Sequence, residues 1–335
     1  MQNLKKRGAY VKIPKYRLKK GEKSMITFVN NSTDPFYNQA FEEHIFNRFR
    51  EQDIFFLWQN SPAVIVGQNQ NIYREVDFLE LKKRQIPAVR RMSGGGTVYH
   101  DLGNVNYTFI SDSRENLCYD DFLSPITDAL CALGINARKN NVCDIAVEGM
   151  KISGSAQRTS GGRVLHHGTL LFDCNLSVLD FLTAKNKNSS INTKGTLSTV
   201  STVTNISRHL KSPMTVNEFK EYLLCFVAGE AETAVLEEQD FAEIERLKTE
   251  KYQTDEWTWG KTPSFKFEKS GLFEGKEITV KYFAKRGVIS EGSICCDALL
   301  GQSPFDLGGK SICPRELENI SRQLCQSERL LEFMI

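Results

Sequence analysis

Apolar and polar positions along the chain follow two different spacings, which predicts a protein with both helices and strands. After Pro35, apolar side chains recur every fourth residue, as in an amphipathic helix, at Tyr37, Phe41, Ile45 and Phe49. The short apolar runs DIFFLWQ and PAVIVG follow, bounded by polar residues or glycine, as is typical of strands buried in a sheet. From Asn104 to Phe109 apolar and polar residues alternate, the pattern of a half-buried strand. We therefore expect an α/β (α+β) fold in which helices flank a mixed sheet.

The same patterns divide the chain into two domains. A further helix is expected from about Tyr73 to Gln85, and a charged helical stretch from Met214 should close the first domain near Lys248. After WGKTP the pattern changes to alternating strands, SFKFEKS, EITVKYFAK and GVISEG, and then to a terminal helix that starts at Pro314. These changes predict a large domain over residues 25–248 and a small C-terminal α+β accessory domain over residues 249–335.

The positive charge is concentrated at the N-terminus. Residues 1–24 contain nine Lys or Arg and one Glu, so the formal charge of +2 for the whole chain leaves +2 − 8, or −6, for the remainder. We expect this segment to be a disordered, solvated extension, since short charged termini rarely pack. A basic arm that contacts nucleic acid or a membrane surface is the alternative.

Composition excludes several classes of protein. The chain has 335 residues, 40% of them apolar, with no apolar run of about 18 residues and no secretory leader pattern, so we expect a cytoplasmic protein and no membrane partner. Its nine cysteines show neither CxxC nor Cys/His metal spacing. Free thiols are therefore expected rather than a structural zinc site.

The segment RRMSGGGTVYHDLGN, residues 90–104, places three glycines between two predicted strands. A turn needs one or two glycines, so the excess indicates that a ligand packs directly on the main chain. Arg90 and Arg91 would supply charge for a phosphate, Ser93 a hydroxyl, and His100 would return to the same neighbourhood. The alternative is a glycine-rich hairpin with a satisfied histidine. Walker and dinucleotide loops are excluded because their sequence patterns are missing.

Two later segments carry further candidate chemistry. In VEGMKISGSAQR, Lys151 precedes residues too small to cover it, so its ammonium could project into a cleft and meet a carboxylate or phosphate. A solvated lysine at a sheet edge is the alternative. In HHGTLLFD, His166 and His167 suggest a metal, but no third ligand stands at a suitable spacing.

Together these three segments resemble the lipoate-protein ligase A family. The resemblance rests on two arginines, Ser-Gly-Gly-Gly, His-Asp and Gly-Asn between Arg90 and Asn104, and on two further motifs that comprise Lys151, Gly154 and Ala156, and His167, Leu170 and Leu171. The similar region covers nearly everything after Met25, and WTWGKTPSF looks like the start of that family's accessory domain.

The resemblance implies a mixed-sheet catalytic domain similar to that of biotin ligases, and a reaction in two steps. Lipoate and ATP, with Mg²⁺, would give lipoyl-adenylate and pyrophosphate. The lipoyl group would then pass to a lysine of a carrier domain, on E2 subunits of 2-oxoacid dehydrogenase complexes or on the glycine cleavage H protein. The accessory domain would swing between the two steps. No nucleic-acid partner is implied, and a monomer is expected.

The resemblance also implies the site residues. Lys151 would be catalytic, holding carbonyl and phosphate oxygens as charge develops. Substrate and ATP would be bound by residues of the three motifs and their neighbours, namely Arg91, Ser93, Gly94, Gly95, Gly96, Val98, Tyr99, His100, Asn104, Asn141, Ser153, Gly154, Ala156, His167 and Thr169. No protein ligand to a metal is assigned.

The chain departs from the family pattern in two places. Val200 and Thr202 stand where many members have arginines, and Asn141 stands where an aspartate is common, so we expect a weaker activation step. The alternative function is an ATP-independent lipoyl or octanoyl transferase that accepts an activated or protein-bound acyl group, with Cys143 as nucleophile. An ordinary buried cysteine is the plainer interpretation of Cys143. A non-catalytic sensor of adenylate or lipoate is a further alternative, but the chain has no helix-turn-helix pattern and no basic sheet rich in aromatics to support it.

Overall fold

The structure is a computed structural model that describes residues 24–113, 115, 117–178, 190–199, 201–300, 303–325 and 328–335. The predicted basic extension therefore lies outside the described residues, apart from Ser24, and so does Val200. Strands and helices are numbered below in chain order within the described residues.

The largest element is an eight-stranded mixed sheet with the order β12-β1-β2-β6-β10-β9-β8-β7. β1 is parallel to both of its neighbours, and the other pairs are antiparallel. The strands are β1 (Met25–Thr27), β2 (Asp53–Trp58), β6 (Asn104–Asp112), β7 (Ala137–Lys139), β8 (Asp144–Val147), β9 (Met150–Ser160), β10 (Arg163–Leu171) and β12 (Glu232–Thr233). This arrangement confirms the predicted mixed sheet.

Helices cover both faces of this sheet. On one face lie α4 (Tyr119–Ala132) and α5 (Val216–Ala228), and the other face packs against α1 (Pro35–Arg48) and α6 (Glu238–Leu247). The helix α1 starts as its sequence predicts: Asp34 caps it by accepting a hydrogen bond from the Phe36 amide (2.9 Å), and Pro35 occupies the first turn. Both apolar faces of the sheet are thus covered.

Two helices differ from the predictions. The helix expected from Tyr73 to Gln85 is two short helices, α2 (Ile72–Glu75) and α3 (Phe78–Arg84), because Val76 is extended and Asp77 caps a new helix by accepting from the Glu80 amide (3.0 Å). The charged stretch after Met214 is also interrupted. α5 ends at Gly229, whose φ is +60°, and β12 joins the sheet before α6 begins.

A three-stranded sheet stands beside the large one and carries the glycine loop. It has the order β4-β3-β5 and consists of β3 (Ala63–Val66), β4 (Ala88–Arg90) and β5 (Val98–His100). The three glycines lie in the loop between β4 and β5, as the sequence predicts.

The C-terminal part forms a five-stranded sheet, β11-β13-β14-β15-β16, with β11 (Ile191–Thr193) contributed from earlier in the chain. Its other strands are β13 (Phe265–Phe273), β14 (Lys276–Lys285), β15 (Val288–Cys295) and β16 (Phe305–Asp306), and it is accompanied by α7 (Asp297–Leu300), α8 (Pro314–Cys325) and α9 (Leu331–Met334). A 3₁₀ turn at Ile206–His209 belongs to the N-terminal part, and π-helical turns at Lys248–Tyr252 and Glu256–Gly260 lie between the two parts.

The two parts share one apolar cluster. Val66 and Tyr73 from the N-terminal part pack in the same buried cluster as Phe265 and Val280 of the C-terminal sheet. The rings of Tyr73 and Trp259 are 5.3 Å apart, and the Tyr73 hydroxyl donates to the Ile312 carbonyl. None of the helices among the described residues is long and apolar enough to cross a membrane.

Candidate active site

A cavity of about 410 Å³ opens between the glycine loop, the strands β9 and β10 and the segment 196–199. Its floor is one face of the large sheet. Because residues paired across antiparallel strands point to the same side, the pairs Asn106–Trp58 and Asn106–Thr169 place these three side chains on that floor. The predicted residues Ala156, His167 and Thr169 line the cavity from β9 and β10.

The glycine loop is held from below by Arg91. Its guanidinium donates to the carbonyls of Gly94 (2.6 Å), Gly96 (2.7 Å) and Ile65 (3.1 Å) and to Ser93 Oγ (3.1 Å). Desolvation lowers the pKa of Arg91 to about 10, although the charge of Glu42 opposes this shift. Arg91 lines the cavity as predicted, but most of its N–H groups donate hydrogen bonds to the glycine loop itself.

The neighbouring Arg90, a second predicted phosphate ligand, is not in the cavity. It is fully buried and donates to the carbonyls of Gly67 (2.8 Å), Gln70 (2.9 Å) and Thr258 (3.0 Å). Successive residues of β4 point to opposite sides, so only one of the two arginines can face the cavity. Arg90 instead connects the loop after β3 to the segment between the two parts of the molecule.

The three glycines are not equivalent. Gly95 has a φ of +85°, which side chains rarely adopt, and a Cβ on Gly96 would lie 3.3 Å from Ser198 Cα. A Cβ on Gly94 would meet nothing within 4 Å. Gly95 and Gly96 line the cavity, whereas Gly94 does not. Two of the three glycines therefore explain the close approach of the main chain to the cavity.

A chain of buried hydrogen bonds runs behind the loop. Ser93 Oγ lies 2.6 Å from His167 Nε2, and His167 Nδ1 lies 2.9 Å from both carboxylate oxygens of Glu42. Glu42 also accepts from Thr108 Oγ1 (2.6 Å). Ser93 is buried and does not line the cavity, so this chain positions His167 and the loop.

Lys151 reaches the cavity at the end nearest β8. Its Nζ forms an ion pair with Asp144 Oδ1 (2.8 Å), and Asn141 Nδ2 donates to Asp144 Oδ2 (2.8 Å). A Cβ on Gly154 would lie 2.9 Å from Lys151 Nζ, so the small residue leaves room for the ammonium, as predicted. A carboxylate, that of Asp144, therefore lies directly beside Asn141, and a weaker activation step because of Asn141 stays a prediction.

The backbone of Lys151 is fixed by a neighbouring segment. Its amide donates to the Thr202 carbonyl (2.8 Å), and the Thr204 amide donates to the Lys151 carbonyl (3.1 Å). Thr202 therefore acts here through its main chain. A weakening of the activation step by the residues at positions 200 and 202 stays a prediction, since Val200 lies outside the described residues.

Cys143 lines the cavity beside the same carboxylate. Its Sγ is 3.5 Å from Asp144 Oδ1. Desolvation, and then the charge of Asp144, raise the pKa of this thiol above its ordinary value. The thiol is therefore protonated near neutral pH, which disfavours a role as nucleophile.

The remaining predicted residues divide between the cavity and its surroundings. Val98 and His100 line the cavity from β5, whereas Tyr99, between them, points into the apolar cluster shared with the C-terminal part. Asn104 is buried and donates to Asn106 Oδ1 (2.9 Å), and Ser153 is buried outside the cavity lining. Alternation along β5 separates Tyr99 from Val98 and His100. Asn104 lies on the same face of β6 as Asn106 but outside the cavity lining.

The segment 196–199 covers the cavity and is tied to the glycine loop. Ser198 Oγ accepts from the Thr97 amide (2.9 Å) and from Gln70 Nε2 (3.1 Å), and it donates to Glu75. Desolvation raises the pKa of Glu75, although the hydrogen bonds from Ser198 oppose the shift. The segment is therefore held by hydrogen bonds to residues of two other loops.

The histidine pair does not form a metal site. His166 points to the opposite face from His167, where it stacks on Phe122 with ring centroids 4.7 Å apart. Throughout the part of the chain that the structure describes, no cluster of three or more His, Cys, Asp or Glu side chains could hold a metal ion.

A comparison with family models assigns the chain to a known protein family. The model of the lipoyl protein ligase A/B catalytic domain matches residues 34–228, which include all of the cavity lining. The chain belongs to this family. In this lipoyl protein ligase family member, the glycine loop and Lys151 line one cavity.

Similarity to individual proteins extends beyond this domain. Lipoate–protein ligase 1 of Staphylococcus aureus is 36% identical over 303 residues, which cover 89% of this chain and 92% of that protein. A bipartite lipoate protein ligase of Thermoplasma acidophilum, from a structural analysis that includes its E2 lipoyl domain, has a TM-score of 0.61 at 22% identity and covers 71% of this chain and 96% of its own. A lipoate-protein ligase A structure bound with ATP has a TM-score of 0.59 at 23% identity, over 72% of this chain and 99% of its own. These two structural similarities show the fold alone.

Several cavity residues of this ligase family member were missed by sequence reasoning. Except for Thr97, which belongs to the glycine-rich segment, they lie outside the three motifs, on helices, strands and loops, and they include Gln39, Trp58, Thr97, Asn106, Asp144 and Ser198. The sequence does contain features that could have pointed to some of these residues. Gln39 and Glu42 are polar residues near the apolar positions of α1, and Asp144 directly follows Cys143.

Proposed function

We propose that this protein is a lipoate–protein ligase, which activates lipoate with ATP and transfers the lipoyl group to a lysine of a carrier domain. The observation that carries the proposal is the cavity, a slot whose lining combines Lys151 with the apolar side chains of Trp58, Ile65 and Val98. An acid with a long apolar tail fits such a slot, and its carboxylate would lie beside Lys151.

In the first step a carboxylate oxygen of lipoate attacks the α-phosphorus of ATP. An O–P bond forms to give lipoyl-adenylate, and the bond to the β-phosphate oxygen breaks to release pyrophosphate. Both reactants are anions, so the Lys151 ammonium offsets their repulsion and stabilises the charge that develops. The backbone amides around Gly95 and Gly96 can approach the phosphates closely because no Cβ intervenes.

Asp144 fits a role in holding Mg²⁺ with the nucleotide. Magnesium is usually bound in proteins by one or two carboxylates together with phosphate oxygens, and Asp144 is the carboxylate nearest to Lys151. Bound there, Mg²⁺ would neutralise charge on the leaving pyrophosphate. Asn141, which donates to Asp144, would orient that carboxylate.

In the second step the amine of the carrier lysine attacks the carbonyl carbon of lipoyl-adenylate. An amide bond forms, AMP leaves with the electrons of the C–O bond, and the amine loses a proton. We propose lipoyl domains of E2 subunits and the glycine cleavage H protein as carriers, which the E2 lipoyl domain studied with the archaeal ligase supports. The proposal includes a monomeric enzyme that works in the cytoplasm.

The test is to incubate the full chain with ATP, Mg²⁺ and lipoate without a carrier, and to measure pyrophosphate and lipoyl-adenylate. We expect Lys151→Ala to lower the rate by at least about 100-fold, since a charge that stabilises the transition state is lost. Lys139→Ala removes an exposed lysine on β7 and should leave the rate unchanged. Equal rates for the two variants would contradict the role of Lys151.

The alternative, an ATP-independent transferase, predicts a different outcome. Wild-type protein would then form no adenylate but would transfer the acyl group from a lipoylated protein, and Cys143→Ser would abolish the transfer. The raised pKa of Cys143 favours the ligase over this alternative.

A further inference from the structure

The lining of the cavity includes buried polar atoms that have no hydrogen-bond partner in the described part of the protein. Both amide atoms of Gln39, Nδ2 of Asn106 and Nε2 of His100 have no hydrogen-bond partner among the residues that the structure describes. All three residues line the cavity, and their exposed fractions are 1%, 1% and 3%. Buried polar atoms without partners are rare in native proteins, so a group of them around one cavity indicates a ligand that can pair with them.

The hydrogen bonds around these residues determine which atoms are donors. Asn106 Oδ1 accepts from Asn104 Nδ2 (2.9 Å), which leaves the Nδ2 group of Asn106 facing the cavity. Asn60 Oδ1 accepts from Asn38 Nδ2 (2.8 Å), so Asn60 Nδ2 donates to His100 Nδ1 (3.0 Å). The remaining ring nitrogen of a neutral His100 must then carry the proton.

Burial keeps His100 neutral. Desolvation, followed by the nearby charges of Arg91 and His167, lowers the pKa of His100 to about 3. Together with Gln39 Nε2, the cavity end therefore presents three N–H donors and one acceptor, Gln39 Oε1. The nearby indole does not add a donor, because Trp58 Nε1 donates to Thr108 Oγ1 (3.0 Å).

The position of Asn106 along the floor matches the length of lipoate. Gly154 contacts Thr169 through its amide (3.3 Å), Thr169 pairs with Asn106, and Asn106 pairs with Trp58. From Gly154, beside Lys151, to Asn106 is two strand spacings, or about 9.5 Å. Three extended main-chain bonds span about 3.5 Å, so the six bonds from the carboxyl carbon to the first ring sulfur of lipoate span about 7 Å, and the ring extends further.

We propose that Gln39, Asn106 and His100 form a donor-rich end of the acyl pocket that pairs with the disulfide sulfurs of the dithiolane ring and thereby selects lipoate against plain fatty acids such as octanoate. The inference rests on the proposed function, and it names the dithiolane ring as the part of the substrate that these residues recognise. Disulfide sulfurs are weak acceptors, whereas the methyl end of octanoate accepts nothing. With octanoate bound, all three donors stay buried and unpaired, which penalises that substrate.

Gln39 offers a clean test because its amide makes no hydrogen bond within the described residues. Gln39→Met keeps the length of the side chain and removes the polar atoms without depriving a protein group of its partner. The measurement is kcat/KM for adenylate formation with lipoate and, separately, with octanoate, on the full chain with ATP and Mg²⁺. We expect the ratio of lipoate to octanoate to fall about tenfold in the variant, mainly because octanoate improves.

A second variant and a control keep the result interpretable. Asn106→Leu should lower the ratio in the same direction, although it also leaves Asn104 without its acceptor. Ser111→Ala removes another buried hydroxyl without a partner among the described residues, on the same strand as Asn106 but outside the cavity lining, and should not change the ratio.

The outcomes separate this inference from the proposed function. If the wild-type protein makes no adenylate from either acid, the proposed function itself fails. If it makes both adenylates and Gln39→Met keeps the wild-type ratio within about twofold, the polar atoms pair only with water and the inference is overturned.

Discussion

His166 and His167 are neighbours in the chain, yet their surroundings give them opposite properties. His167 lies on the face of the sheet that forms the cavity floor, and it pairs with the carboxylate of Glu42. His166 faces the helices on the other side of the sheet and is surrounded by Tyr107, Tyr119 and Phe122. Desolvation, and then the charge of His167, lower the pKa of His166 well below its ordinary value. A buried neutral histidine of this kind makes folding sensitive to acid.

We predict that His166→Phe makes the free energy of unfolding less dependent on pH. Because the folded pKa lies below the unfolded value of about 6.5, the unfolded chain binds more protons, and stability is lost as pH falls below that value. Between pH 7.5 and pH 5 the loss from one such histidine is about 2 kcal/mol, and the variant should lack it. Urea unfolding at both pH values measures the effect, with His209→Phe as control. A loss of the same size in wild type and variant would contradict the assignment.

At the scale of elements, the glycine loop is shaped by its neighbours as much as by its own glycines. Arg91 holds the loop from below, Ser198 contacts it from above, and the main chain at Gly67 packs against Gly95. A Cβ on Gly67 would collide with the Gly95 carbonyl oxygen, which is backbone and cannot rotate away.

Two alanine substitutions test this packing. Gly67→Ala should displace the loop, lower the free energy of unfolding by about 1–3 kcal/mol as overpacking does, and reduce adenylate formation at least about tenfold. Gly94→Ala, within the three-glycine run, should stay within about 0.5 kcal/mol of the wild type, because its Cβ meets nothing within 4 Å. Urea unfolding and adenylate formation are measured for both variants. The reverse order of effects would show that the run itself, rather than its packing, controls the loop.

At the scale of the whole molecule, the boundary predicted near Lys248 falls within a region of dense contact between the two parts. The shared apolar cluster includes residues from both sides of that position, and buried Arg90 joins the loop after β3 to Thr258 and Thr262. A division into residues 25–248 and 249–335 remains our proposal for the sequence units. Swinging of the accessory domain would require this cluster to open.

We therefore predict a single cooperative unfolding transition for the full chain. Tryptophan fluorescence reports on both parts, through Trp58 in the large sheet and Trp257 and Trp259 near the boundary, and it should coincide with far-UV circular dichroism. Tyr73→Phe removes the hydroxyl that donates to Ile312 and should lower the midpoint without splitting the transition, at a cost of about 1 kcal/mol. Two separate transitions in the wild type would show that the parts fold independently and that the shared cluster adds little stability.

Much of the molecule follows from the sequence alone. The cap and proline before α1 and the strand pattern after WGKTP depend on interactions between residues close in the chain, so their elements are formed as predicted. Alternation along residues 104–109 also predicts its strand, but β6 is buried on both faces rather than half-buried, because its polar face lies beneath the cavity and α1. The motifs at Arg91, Gly95, Gly96, Lys151, Gly154 and His167 are short and ordered, and the structure brings all of these residues to one cavity.

The tertiary structure decided what faces those residues. Gln39 belongs to α1, whereas His100 and Asn106 belong to strands of two different sheets, and no local pattern indicates that the three residues line one cavity. Strand register likewise determines the ion pair between Lys151 and Asp144. Which face of a sheet is covered determines that Arg90 turns inward, away from the cavity. Local propensity acts over a few residues, whereas these contacts exist only once the sheets and helices have packed, so their chemistry could be derived only from the folded molecule.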